Sequence, residues 1–131
     1  MANKNIEQQI KNSILDWIAL YPRKGFAWSV YNGAVYDPKI KMFRKRAKWH
    51  RKGVSDICGI WCGKPLFIEV KTPGEVPSPE QVEFLAIAHH HGAIAFCTSS
   101  LQYAVNQLHP YDVPTYSSIP RPLPLAFDSE D

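Results

Sequence analysis

The chain has 131 residues, 45% of them hydrophobic and 21% charged, with a formal net charge of +3. That length supports one domain with a modest core, and the composition excludes a disordered or fibrous chain. No apolar run approaches the ~18–20 residues that span a bilayer, and no apolar signal core follows Met1-Ala2-Asn3-Lys4-Asn5, so the expectation is a cytoplasmic protein with no membrane partner.

From the N-terminus, Ile6, Ile10, Ile14, Trp17 and Ile18 recur at spacings of three and four, which predicts an amphipathic helix over 6–20. Pro22 and Gly25 end it. Residues 26–31 read as a strand closed by the turn signal Asn32-Gly33. On this reading Trp17 and Trp28 belong to the core rather than to a base-stacking surface. The stretch 39–52 reads as irregular. Residues 54–61 and 66–71 form a hairpin about a turn at Gly63-Lys64-Pro65. Ser78 is the expected N-cap of a second helix that has Pro79 at its first position, Glu80 and Gln81 in its first turn and Gly92 as its stop. Residues 93–98 read as a buried strand, and Ser99 or Ser100 caps a short helix over 101–108. From His109 onward the chain turns Pro-rich, with Pro110, Pro114, Pro120, Pro122 and Pro124, which predicts an extended tail over 109–131. The fold class is therefore α/β, in the order α-β-β-β-α-β-α, with a central mixed sheet flanked by helices.

Three cysteines, Cys58, Cys62 and Cys97, are an odd number and argue against a disulfide framework. They read as small buried hydrophobes. Neither Cys58-x3-Cys62 nor the run His89–His91 has the spacing of a common zinc site. Charge is unevenly spread. Lys39, Lys41, Arg44, Lys45, Arg46, Lys48, Arg51 and Lys52 are eight of the fifteen basic residues, with no acid among them and Phe43, Trp49 and His50 interleaved. A solvated surface usually mixes signs, so a one-sign cluster points to phosphate binding. Trp49 stacks on a base or packs on the domain, and the pattern does not separate the two.

Strand side chains alternate, so Glu69 and Lys71 share a face that Val70 does not. Hairpin pairing brings Asp56 beside them. Two carboxylates and an ammonium pack badly as core, but they suit a hard divalent cation, Mg²⁺ or Mn²⁺, with its waters. The carbonyl of Val70 can add a main-chain ligand. Lys71 can orient an attacking water or offset charge in the transition state.

Asp56-x12-Glu69-x-Lys71 on neighbouring strands resembles the signature of the PD-(D/E)XK nuclease superfamily. Its surroundings resemble the VRR-NUC branch in order and spacing: Gly53-Val54-Ser55-Asp56, Ile68-Glu69-Val70-Lys71-Thr72, Pro77-Ser78-Pro79-Glu80-Gln81, Phe84-Leu85 and His91-Gly92-Ala93-Ile94-Ala95. Ile6-Glu7 and Trp28-x3-Asn32-Gly33-Ala34 match as well. The resemblance covers residues 6 to about 108, implying a nuclease domain over 1–108 with a restriction-endonuclease-like core. It makes Asp56 and Glu69 metal ligands, Lys71 the catalytic lysine, Gln81 a glutamine directed into the site and Glu7 an outer or second-metal ligand. Ser55 stands where the superfamily signature has proline, a position that shapes the backbone. What the resemblance implies is a metal-dependent DNA endonuclease, homodimeric and selective for branched, Holliday-junction-like DNA in phage or bacterial replication or recombination. A helicase or other replication partner is left open. The alternatives are a nicking or restriction-type nuclease, a non-catalytic nucleic-acid-binding module of the same fold, and an interaction subunit that docks through its tail.

Overall fold

Isoleucine at every fourth position shapes the first element. In the computed structural model, which describes residues 2–30, 36–43, 49 and 51–114, helix α1 (Ala2–Ala19) carries Ile10, Ile14 and Ile18 as one stripe facing the core. Trp17, beside that stripe, stacks at 5.0 Å on Tyr21 and at 5.5 Å on the fully buried Trp61. The chain then turns into β1 (Gly25–Ser29).

Four strands form the main sheet in the order β1, β4 (Ile57–Trp61), β5 (Lys64–Val70), β6 (Ile94–Thr98). The first three are antiparallel neighbours, with Trp28 opposite Cys58 and Cys58 opposite Phe67. The β5–β6 pair is parallel and sets Glu69 beside Cys97. A parallel return needs a crossover, and α2 (Pro79–His90) supplies it. Helix α3 (Leu101–Leu108) follows β6, with Ser100 as its N-cap.

Alternation along the strands divides the sheet into two faces. Ile57 and Trp61 of β4 and Leu66, Ile68 and Val70 of β5 point into the core, where α1 and α3 cover them. Phe67 and Glu69 point the other way, towards α2. The core extends past α3: Tyr111 packs on it, the Trp61 indole Nε1 donates to the Leu108 carbonyl at 2.9 Å, and the Cys62 thiol donates to the Tyr111 carbonyl at 3.4 Å. No helix among the described residues is long and apolar enough to cross a membrane.

Three expectations need correction. Where no strand was expected, β2 (Tyr36–Asp37) and β3 (Met42–Phe43), the second inside the stretch read as irregular, pair as a small antiparallel ribbon. Asp37-Pro38 opens its turn, but two-residue strands leave too little alternation for a pattern to register. The β4–β5 turn is Cys62-Gly63, not Gly63-Lys64-Pro65. Both turn residues have positive φ, 51° and 80°, as the twist of a two-residue hairpin requires. A cysteine in the first of those positions is not a turn signal, so the turn was placed too late in the chain. Finally, Trp28 is 48% exposed rather than core. It lies on an edge strand, on the sheet face that α2 covers only over β5 and β6.

Candidate functional site

Antiparallel pairing puts the beginning of β4 beside the end of β5. Ile57 lies opposite Ile68, and continuing that register by one step sets Asp56 opposite Glu69. Asp56 sits where the ladder opens. Its backbone carbonyl accepts from Val30 N–H at 2.7 Å, and its carboxylate Oδ2 accepts from Val70 N–H at 3.0 Å. The aspartate is thereby tied to both neighbouring strands. Gly53 makes the approach possible. With φ at +86° it passes against the first turn of α2, where a Cβ would lie 2.5 Å from the Glu80 carbonyl oxygen.

Glu69 is only 2% exposed. Its Oε1 accepts from the Gln81 side-chain amide at 2.8 Å and lies 3.8 Å from the Lys71 ammonium. Its Oε2 is buried and meets no donor. Burial pushes the Glu69 carboxyl up to about 8, the charge of Asp56 adds, Lys71 opposes and Glu7 adds a little more. A buried carboxylate with one oxygen unanswered is costly for the fold. It favours whatever can neutralise it, a proton or a cation.

Gln81 makes three hydrogen bonds. As the third residue of α2 it closes a capping box: its Oε1 accepts from Ser78 N–H at 2.8 Å, and its own N–H donates to Ser78 Oγ at 3.2 Å. Its amide nitrogen then turns to Glu69. The cap that starts α2 therefore also orients the buried carboxylate. Lys71 continues the ladder to β6 through its N–H, which donates to the Thr98 carbonyl at 2.9 Å, so its side chain keeps the face of Glu69.

Glu7 reaches the same end of the sheet from α1. It lies seven residues before Ile14 and so shares the stripe that faces the core. Burial raises its carboxyl first, then the charges of Asp56 and Glu75, while Lys71 and Lys11 oppose the shift. Among the described residues no three His, Cys, Asp or Glu side chains stand close enough together to hold one ion. Asp56 and Glu69 are neighbouring carboxylates that could hold an ion between them, with Glu7 adding charge from further out. A pair is what Mg²⁺ commonly takes from a protein, keeping several waters. The Val70 side chain is buried on the opposite face, so only its main chain is near the pair.

The basic cluster divides. Lys39 and Lys41 are exposed in the turn between β2 and β3. Lys52 pairs with Glu80 of α2 at 3.6 Å, and the Arg51 guanidinium lies 5.9 Å from the centre of the Phe84 ring. Arg44, Lys45, Arg46 and Lys48 lie outside the described residues, as does Asn32. Trp49 is exposed.

Cys97, expected to be a small buried hydrophobe, is only half-buried; it flanks Glu69 across the parallel pair, and its thiol is raised by burial and then by the Glu69 charge. Nothing in the chain announces which residues a parallel neighbour brings alongside. Comparison with family models, with curated proteins and with solved structures found no match for this chain.

Proposed function

We propose that the protein is a divalent-metal-dependent endonuclease that hydrolyses phosphodiester bonds in DNA, built on a restriction-endonuclease-like core of the VRR-NUC type. The observation that carries the reading is the buried Glu69, with one oxygen held by Gln81 and Lys71 and the other unpartnered. A bland surface pair of Glu69 and Lys71 would sit in water and need no such support. With Glu69 only 2% exposed, its carboxylate carries a desolvation cost that a bound cation would offset.

Asp56 and Glu69 are the residues that would hold Mg²⁺ or Mn²⁺, and the hard oxygen donor set suits either ion. Bound there, the ion supplies Lewis acidity to the phosphoryl group and lowers the pKa of water. Lys71 fixes a water by hydrogen bonding or offsets charge that develops on the phosphate. Gln81 keeps the Glu69 carboxylate from rotating. Cations of the stretch 39–52 grip backbone phosphates, which makes affinity fall steeply with salt. The reading extends to a homodimer, whose two sites would serve two strands of a branched substrate.

The test is cleavage of labelled duplex, single-stranded, flap and four-way-junction DNA in Mg²⁺, Mn²⁺ or EDTA. Asp56→Ala and Lys71→Ala are each expected to lose about a hundredfold or more. No cutting of any substrate in either metal, with salt-sensitive binding retained, would sink the enzyme and leave a nucleic-acid-binding module.

A further inference from the structure

The sheet face that carries Asp56 and Glu69 is only half covered. Helix α2 lies over β5 and β6, where Phe84 meets the Phe67 ring edge-on at 5.1 Å. Over β4 the face is covered in part, since Cys58 is buried, but towards β1 the described residues leave it open. Phe26 is 59% exposed, Trp28 48% and Ile60 42%, and the two rings stand 5.7 Å apart. Phe26 lies opposite Ile60 and Trp28 opposite Cys58. The next pair on this face joins Val30 to Asp56 through the bond from Val30 N–H to the Asp56 carbonyl. The row Phe26, Trp28, Val30 therefore leads straight to the candidate site. Each step along it is about 7 Å, two residues of strand.

We propose that Phe26 and Trp28 form a stacking platform for unpaired nucleobases of a strand whose phosphate lies at Asp56 and Glu69, so that the protein prefers single-stranded or locally unpaired nucleic acid. Two features choose this occupant. The platform is continuous with the site, and Arg51, over the Phe84 ring of α2 on the same sheet face, supplies a cation for the backbone of the same strand. Its apolar area is too small to carry a stable dimer contact by itself. A large aromatic side chain buries ~150–250 Å² when wholly covered, so two half-exposed rings and an isoleucine fall well short of the roughly 800 Å² per partner of a stable interface. They match one or two bases. The direction of the strand rests on the nuclease reading, whereas the stacking itself does not.

The experiment is fluorescence anisotropy in EDTA, with labelled oligothymidylate and a labelled hairpin duplex. Wild type is compared with the double variant Phe26→Ala/Trp28→Ala and with Trp28→Tyr. The double variant should bind oligothymidylate at least about tenfold more weakly, and the ratio of oligothymidylate to duplex affinity should fall, while Trp28→Tyr keeps most of the binding because a ring remains. Thermal unfolding of each variant shows that the fold is kept. Unchanged oligothymidylate affinity in the double variant, or no such binding by wild type, overturns the platform. So does a wild-type dimer that sedimentation shows falling to monomers in the double variant with affinity unaltered, since the face would then join copies of the chain. Metal-dependent cutting with ring-independent binding would remove the platform alone. Ring-dependent binding without cutting would remove the nuclease alone.

Discussion

The two faces of β5 differ in a way that separates stability from chemistry. Leu66, Ile68 and Val70 alternate into the core and are wholly buried among aliphatic and aromatic neighbours. Phe67 and Glu69, one step out of phase, face α2. The inner face needs nothing but close packing. The outer face buries a carboxylate whose Oε2 meets no donor, beside a second carboxylate. Seven residues of one strand thus carry both the most settled part of the molecule and the least. The lesson is that the inner face supplies the rigidity on which the outer face can hold an unfavourable charge in place.

The largest change in stability is expected on the inner face. Ile68→Ala should cost about 2–5 kcal/mol, because a fully buried side chain leaves a cavity that a sheet cannot close. Urea unfolding measures it, and a loss under 1 kcal/mol would mean that this face is not the close-packed one.

The outer face should respond with the opposite sign. A carboxyl raised from the ordinary 4.5 to about 8 favours the folded state while it holds its proton. The stability it lends the metal-free protein is complete below pH 4.5, falls as pH climbs towards 8 and levels off above. The span is on the order of a few kcal/mol. Glu69→Gln keeps the shape, can still accept from Gln81 and cannot ionise. In EDTA it should flatten most of the decline between pH 5 and pH 8.5, and at pH 8.5 it should be more stable than wild type. Glu7, shifted in the same direction, leaves a smaller slope behind. A variant as pH-sensitive as wild type would show that Glu69 is not the group concerned.

Gln81→Ala should give the smallest effect, about 1–2 kcal/mol, from the lost half of the capping box and the lost bond to Glu69. Measured together with Glu69→Gln, the two changes should not add, since they share the 2.8 Å bond. Strict additivity would mean that the cap and the carboxylate are independent.

Much of this was readable in the chain. The isoleucine stripe gave α1, Ser78-Pro79-x-Gln81 gave the start of α2, and the alternation of 66–71 put Glu69 and Lys71 on one face. These signals are local, and local preference and burial agree along them. Glu7 was placed in the site only through a family resemblance, and its approach to Asp56 depends on how α1 crosses the sheet end. The turn at Cys62-Gly63 was misread because a left-handed cysteine is uncommon and is held here by its bond to the Tyr111 carbonyl, 49 residues on.

By itself, then, the sequence determined the helices and main-sheet strands, their order, and which side chains share a strand face, since those follow from periods of 3.6 and 2 within a few residues, whereas the two-residue strands β2 and β3 escaped it. Tertiary structure alone decided the rest. It set β1 at the sheet edge and left Phe26 and Trp28 uncovered. It brought Cys97 beside Glu69 and left Glu69 Oε2 without a donor. Exposure, a parallel neighbour and an unmet hydrogen bond depend on what lies across space, and no local pattern encodes them.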